Sequence, residues 1–417
     1  MRRPRLLFIS PRYLLPADMG GKIRTAHVLK GLKGGHFDVT LISPAPPVIP
    51  DTEQSELFAL CDRFLSWAQL PRGPLHNYTR LRYLVAREPV SVVTDWSGAA
   101  ARAVASAIAG ADLVVADFLH AAILLPEKLE KPSVLFTHNV EAEIFARHAE
   151  LAKNPITRRI WQSQWQKMRS FEAKSLRRFD GVVAVSERDR ATFQKAYGVA
   201  AAVIPTGVDL DHFAFHPPKE GPPVVAFTAS MDSLANIDGV RWFLDKVWPL
   251  IVAEVPGAQM RVIGRNPDPG LVAETKRRGL TCHFTGSVKD VCPYLEDVQA
   301  YVIPLRAGGG TRIKAFEAMA YGLPVVSTSV GIEGLGVTPE LHYLNADSPE
   351  AFAASVLRLL RDPALRWRLS LAARQLVEEN YSSRKVGRVF EDICINAMQK
   401  PFSESLVQTP ARGRSAA

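Results

Sequence analysis

Two doubly wound α/β domains with parallel sheets are the fold class this sequence predicts, on three observations. Short β-branched apolar runs alternate with amphipathic stretches along the whole chain. The 417 residues exceed what one domain of about 100–200 residues holds. Near the middle, residues 213–223 (FAFHPPKEGPP) carry four prolines and a glycine, which exclude a regular element. With right-handed crossovers, such sheets bind ligands beyond the carboxyl ends of their strands, here in a cleft between the domains.

Taken in order, buried parallel strands are predicted at 6–10, 39–43, 113–116, 134–137, 182–186 and 202–205. After the break they recur at 224–228, 260–263, 282–284, 300–303 and 325–327. Amphipathic helices are predicted over 22–33, 238–255 and 351–361. The first domain is expected at 1–213 and the second at 214–385. A helix over 386–400 should pack back toward the first domain, and the Ser/Pro/Arg-rich tail 401–417 should be disordered.

Composition excludes several classes. At 22% charged and 47% hydrophobic the chain is neither disordered nor collagenous. The basic start resembles a signal peptide, but its apolar run, Leu6 to Ile9, is too short for one. The most apolar long window, 98–118, carries Arg102, Asp112 and Asp117 and does not read as a membrane span. Cys61, Cys282, Cys292 and Cys394 lack metal or redox spacing, so no metal is expected and a reducing cytosol fits best. The formal charge is +9, and residues 1–215 hold 28 Lys/Arg against 21 Asp/Glu. That excess reads either as a solvated basic surface or as attraction to an anionic membrane or ligand. No nucleic-acid-binding module accompanies it, so nucleic acid is not an expected partner.

Glycine-containing loops carry the candidate chemistry. The first is DMGGKIR (18–24), where Gly20 and Gly21 open a helix and Lys22 and Arg24 add positive charge. It is neither a Walker loop nor GxGxxG, which disfavours a dehydrogenase. The second follows the strand at 300–303 and runs from Arg306 through Gly308, Gly309, Gly310, Thr311, Arg312 and Lys314 into a helix ending at Gly322-Leu323-Pro324. Positive charge at a helix start costs about 0.3–1 kcal/mol unless an anion offsets it, so the loop reads as a phosphate site. Glu317, one turn into that helix, would repel a phosphate but accept hydrogen bonds from a ribose or sugar ring; otherwise it is a solvent-facing helix residue. Asp209-Leu210-Asp211 looks like a metal-binding DxD but sits just before the linker, so no metal role is expected. The basic, Trp-containing stretch 158–178 reads as a core-packed helix rather than an interfacial membrane helix.

These motifs resemble the retaining, nucleotide-sugar-dependent glycosyltransferases of family four, which have the GT-B fold, over about residues 5–385. The most specific stretch is GGGTRIKAFEAMAYGLPVVSTSVGIEGL (308–335), similar to their donor loop and helix. PADMGGKIR (16–24), FTHNVE (136–141), AVSERD (184–189), IPTGVDLDHF (204–213), FTASMD (227–232) and TGSVKDVCPYL (285–295) support it. The resemblance is strongest to the branch that assembles bacterial exopolysaccharides and cell-surface glycans.

It implies an acceptor-binding first domain and a second domain that binds the nucleotide sugar, with Gly20 and Gly21 closing over the donor. Glu317 corresponds to the second of two family glutamates and is expected to hold the ribose. The first falls at Gly309, so the backbone amides of Gly309, Gly310 and Thr311 become candidates for sugar recognition. His138 corresponds to a cleft histidine beside the transferred sugar, and Glu141 is an acceptor-side candidate with Lys22 and Arg24. The family loop after the first strand of the second domain supplies cations; here it reads TASMDSLAN (228–236), with none, so Arg312 and Lys314 are expected to neutralise the diphosphate. The implied activity is metal-independent sugar transfer to a glycan or lipid-linked acceptor, in the cytoplasm and peripherally on the membrane. The rival reading is a catalytically silent protein of the same fold that senses sugar nucleotides or scaffolds a membrane assembly.

Overall fold

The computed structural model describes residues 2–17, 20–69, 80–152, 154–307 and 313–399. Among them, seven strands form the first sheet: β1 (Arg5–Ile9), β2 (Asp38–Ala45), β3 (Arg63–Ala68), β4 (Leu113–Asp117), β5 (Ser133–Phe136), β6 (Gly181–Ala184) and β7 (Ala202–Val203). Their order is β3-β2-β1-β4-β5-β6-β7. The second sheet orders β8 (Val224–Thr228), β9 (Gln259–Ile263), β10 (Cys282–Phe284), β11 (Val298–Ile303), β12 (Val325–Ser327) and β13 (Leu344–Asn345) as β10-β9-β8-β11-β12-β13. Every pairing is parallel; Leu6 lies opposite both Val39 and Leu113, and Val225 opposite both Met260 and Ala300.

Each strand predicted from sequence coincides with an observed one, with ends moved by no more than two residues. Two strands escaped prediction. β3 is an edge strand with only Trp67 buried, and β13 has two residues. Neither has the continuous apolar run that marks a strand covered on both faces.

The alternation along β1 sorts the first core into two layers. Leu6 and Phe8 pack with Val28, Leu29 and Leu32 of the first helix (Gly20–Leu32) and with Phe390 of the final helix (Ser383–Gln399). Leu7 and Ile9 pack on the opposite face with Val104, Met168 and Phe171. Trp161 and Trp165 of the helix Pro155–Leu176 also pack against that second layer. Among the described residues no helix is long and apolar enough to cross a membrane.

The strand order reverses between β1 and β4 in one domain and between β8 and β11 in the other, and ligand crevices open at such reversals. Ser10 and Asp117 stand at the first reversal, Thr228 and Ile303 at the second. Two strands of chain cross between the domains, and they are hydrogen-bonded to each other. Val208 N–H donates to the Tyr381 carbonyl (2.7 Å), and Ser383 N–H donates to the Val208 carbonyl (2.8 Å).

The final helix returns to the first domain through a glycine contact. A Cβ on Gly31 would lie 2.6 Å from Gly387 Cα, and one on Gly387 would lie 2.4 Å from Gly31 Cα. Both distances are below any real carbon contact, so Gly387→Ala must push the final helix away from the first helix. Such overpacking costs about 1–3 kcal/mol. A calorimetric melt should show the first domain's transition lowered by several degrees, and an unchanged melt would contradict this packing.

Candidate active site

The first-domain wall is built around a buried carboxylate. Asp117, wholly buried at the end of β4, accepts hydrogen bonds from Ser10 Oγ (3.0 Å) and His138 Nε2 (2.8 Å). Thr25 Oγ1 lies 3.0 Å from each of its carboxylate oxygens. Three donors thus tie the segment after β1, the first helix and the loop after β5 to the end of β4. Arg24 continues the network, with Nη1 3.1 Å from His138 Nδ1 and both Nε and Nη2 3.3 Å from Thr206 Oγ1.

A guanidinium can only donate, so His138 Nδ1 accepts and its Nε2–H donates to Asp117. The imidazole is therefore neutral and fully engaged. Burial lowers its pKa; the Asp117 carboxylate opposes that shift and Arg24 adds to it. Burial also pulls the Arg24 guanidinium down to about 10, so it stays charged at neutral pH.

Phe118 caps this arrangement with φ at 63° and ψ at 148°, an extended positive-φ conformation normally open only to glycine, which costs a bulky residue about 1–3 kcal/mol. Its ring stacks on His138 (centroids 3.8 Å apart, 12° between planes). Gly21 lies beneath the ring, where a Cβ would come within 2.5 Å of Phe118 Cζ. The helix Glu141–Leu151 begins just beyond, its first amides held by Glu172. That carboxylate also accepts from Tyr197 Oη (2.6 Å), and burial pushes it up to about 7.

The second-domain wall is the helix Ile313–Tyr321, whose start lies beyond the carboxyl ends of β8 and β11. Desolvation pushes the Glu317 carboxyl up to about 7, with the Lys314 charge opposing. Among the described residues none hydrogen-bonds Glu317. Lys314 Nζ lies 3.1 Å from Asn236 Oδ1 and 4.4 Å from the centre of the Phe227 ring. Its ammonium is thereby delivered to the loop after β8, the loop whose own sequence carries no cation. Arg265, from the loop after β9, reaches the same turn, with Nε 3.1 Å from Ser230 Oγ and 3.0 Å from Asp232 Oδ2.

The two walls face each other across a cavity of about 690 Å³, lined by His138, Asn139, Arg188 and Thr206 on one side and Ile313, Phe316, Glu333 and Tyr381 on the other. A Cβ on Gly20 would lie 3.7 Å from Ile313 Cδ1, so the first loop meets the second across the cleft.

Several expectations need correction. Arg24 is 3% exposed and committed to His138 and Thr206, so it does not present charge to an acceptor. Arg306 is held by Asp238, its Nη2 2.6 Å from Oδ1 and its Nε 3.1 Å from Oδ2, which answers the charge otherwise assigned to an anion. The His138 ring nitrogens are both occupied, so the ring orients the wall rather than bonding a sugar hydroxyl. Glu141 does not line the cavity, whereas Glu143 does, paired with Arg188 at 2.5 Å. Asp209 and Asp211, given no metal role from the sequence, pair with different cations, Lys30 (2.6 Å) and Arg384 (3.1 Å). Lys22 donates to the Pro16 carbonyl (3.3 Å). Gly309, Gly310, Thr311 and Arg312 lie outside the described residues.

Sequence reasoning missed Asp117, Arg147, Arg188 and Glu333. Asp117 ends an apolar strand, and only knowledge of the reversal point singles it out. The other three reach the cleft through helix and loop packing that no local spacing encodes.

The description "Glycosyltransferase Family 4" matches residues 20–212, and "Glycosyl transferases group 1" matches residues 222–362. An uncharacterized 44.6 kDa protein in the cps region of Klebsiella pneumoniae is 26% identical over 39% of this chain and 43% of its own length. The phosphatidyl-myo-inositol mannosyltransferase of Mycobacterium tuberculosis is 27% identical over 51% of this chain and 60% of its own. The chain thus spans roughly half the length of these curated relatives. Among solved structures, a sucrose-phosphate synthase from Thermosynechococcus elongatus superposes with TM-score 0.67 at 18% identity, covering 94% of this chain and 99% of its own. HepE of Anabaena, in complex with UDP and glucose, does so with TM-score 0.64 at 14% identity over 94% and 99%. The chain belongs to the family-four glycosyltransferases and has the GT-B fold.

The Asp117 network yields a graded prediction. Ser10→Ala removes one hydrogen bond to the carboxylate, worth about 1.5–3 kcal/mol. Asp117→Asn removes the charge beside buried Arg24 and cannot satisfy all three donors, which costs about 3–5 kcal/mol. Because burial keeps His138 neutral, the first domain should also lose stability as pH falls below the ordinary histidine value of about 6.5. Denaturant titrations of both variants between pH 5 and 8 check this; equal, small effects would contradict it.

Proposed function

We propose that this protein transfers a sugar from a nucleoside diphosphate sugar to a hydroxyl of a glycan or lipid-linked acceptor, with retention of anomeric configuration, in cell-surface polysaccharide biosynthesis. The observation that carries this reading is the pairing of a desolvated Glu317 with Lys314 on the helix whose Ile313 and Phe316 line the cavity opposite the first-domain wall. A desolvated carboxylate one turn from the helix start suits a ribose diol, while the helix start and the Lys314 ammonium suit the diphosphate. Arg312 is the second proposed phosphate ligand, and the amides of Gly309, Gly310 and Thr311 the proposed sugar contacts.

The named relatives support the same chemistry: one lies in a cps region, one is a mannosyltransferase acting on a phosphatidyl-inositol lipid, and HepE was solved with UDP and glucose. In the proposed reaction the acceptor hydroxyl attacks the anomeric carbon from the face that the diphosphate leaves, and the departing phosphate oxygen takes the hydroxyl proton. The protein contributes orientation and stabilisation of the leaving diphosphate, without a protein-bound metal. The enzyme would work in the cytoplasm, its basic first domain against an anionic membrane surface.

Thermal shift of the purified chain against a panel of nucleotide sugars tests donor binding, because ligand at 100 times Kd adds about 2.7 kcal/mol of stability. One donor should raise the melting temperature, and NMR of the product should report the anomeric configuration of the donor. No shift with any donor would favour the catalytically silent alternative.

Two variants address the residues. Lys314→Ala should raise donor KM and lower kcat together, with kcat/KM down about 10²–10³-fold; unchanged kinetics would remove Lys314 from the site. For Glu317, the raised pKa means that the empty protein binds a proton near neutrality, whereas a ribose diol favours the carboxylate. Donor binding should release protons at pH 6–7 and weaken as pH falls below 7. Calorimetry in buffers of different ionisation enthalpy reads this, and Glu317→Gln should abolish the proton release. Identical release from parent and variant would exclude Glu317 from ribose binding.

A further inference from the structure

Outside the lining of the cleft cavity, three side chains from two segments distant in sequence meet on the second-domain side of the crossover. His212 comes from the segment before the linker, and Asp290 and Cys292 from the loop preceding β11. His212 Nε2 lies 3.4 Å from Asp290 Oδ1 and 3.8 Å from Cys292 Sγ. All three donor atoms lie within 4.8 Å of one another. Around tetrahedral zinc, with metal–ligand bonds of about 2.0–2.3 Å, neighbouring ligand atoms stand about 3.3–3.8 Å apart. The two spacings from His212 fall within that range, and the third lies within 4.8 Å.

We propose that His212, Asp290 and Cys292 bind one divalent transition-metal ion, zinc foremost, with solvent in the fourth position. An imidazole, a thiolate and a carboxylate suit zinc and exclude magnesium and calcium, which take oxygen ligands. The His212 and Asp290 side chains are about half exposed (47% and 44%), which leaves an entry path and room for the solvent ligand. Surrounding contacts orient the ligands. Cys292 N–H donates to Asp290 Oδ1 (3.0 Å), fixing the loop. The His212 ring packs edge-on against Phe213 (centroids 4.7 Å apart, 84°), and the His212 backbone N–H donates to Asp209 Oδ1 (3.3 Å). On binding, the Cys292 thiol gives its proton to solvent as the sulfur–metal bond forms.

The site has a structural consequence distinct from catalysis. The segment that carries His212 is tied to the first domain by the Asp209–Lys30 pair and to the final helix by the Asp211–Arg384 pair. On the other side, Tyr321 Oη, at the end of the helix that bears Glu317, donates to the Cys292 carbonyl (3.2 Å). A bound ion would pin the crossover segment to the second domain.

The test uses the full chain stripped with chelator, then titrated with zinc by calorimetry and with cobalt by absorption spectroscopy. One ion per chain should bind, with a thiolate-to-cobalt charge-transfer band in the near ultraviolet. Cys292→Ser should abolish the band and weaken zinc binding at least tenfold, and His212→Ala should weaken it similarly. Cys282→Ser, in β10 and outside the cluster, should change neither. Absence of saturable binding, a band that survives Cys292→Ser, or one lost in Cys282→Ser would overturn the assignment.

Discussion

Asp117 is a carboxylate with no access to water, and an isolated charge in that position would cost several kcal/mol. It is tolerated because Ser10, Thr25 and His138 converge on it, with Arg24 one neighbour further out. Those donors come from separate segments that meet only at the strand-order reversal of the first sheet. The carboxylate therefore acts as the knot that holds the first helix, the loop after β5 and the strained Phe118 in one arrangement. Gly21, the stacked histidine ring and the entry to the helix at Glu141 all depend on it. A half-satisfied network of this kind would be worse than an apolar core, so its completeness makes the wall rigid.

The second domain solves a different problem. Its helix Ile313–Tyr321 carries two charged groups in different surroundings. Glu317 is desolvated without a hydrogen-bond partner among the described residues, whereas Lys314 contacts Asn236 and the Phe227 ring beside a loop that lacks its own cation. The cleft thus pairs a wall knotted around one carboxylate with a wall whose carboxylate has no hydrogen-bond partner among the described residues. Electrostatic preorganisation of this kind adds nothing to the reorganisation cost at the moment of reaction.

The fold was legible where burial on both faces writes a continuous apolar run, as in β1, β4, β8 and β11. It was illegible for β3, an edge strand whose Arg63, Leu65 and Ser66 face water, and for two-residue β13. At the site, glycine and charge patterns pointed to the donor helix, and the family resemblance added His138. The partners of each side chain were hidden. Nothing local tells that Arg24 turns inward to His138 and Thr206, or that Asp238 answers Arg306. Likewise four scattered cysteines gave no metal spacing, because Cys292 meets His212 only after the chain has crossed between domains.

The central claim is that the donor is held by the helix Ile313–Tyr321 against a first-domain wall already formed. A crystal structure of the full chain with a nucleoside diphosphate tests it most directly. The diphosphate should sit at the start of that helix with Lys314 Nζ in hydrogen-bond contact, the ribose hydroxyls should meet Glu317, and the Asp117–His138 contact should be unchanged. A nucleotide bound elsewhere, with Glu317 and Lys314 untouched, would contradict the account.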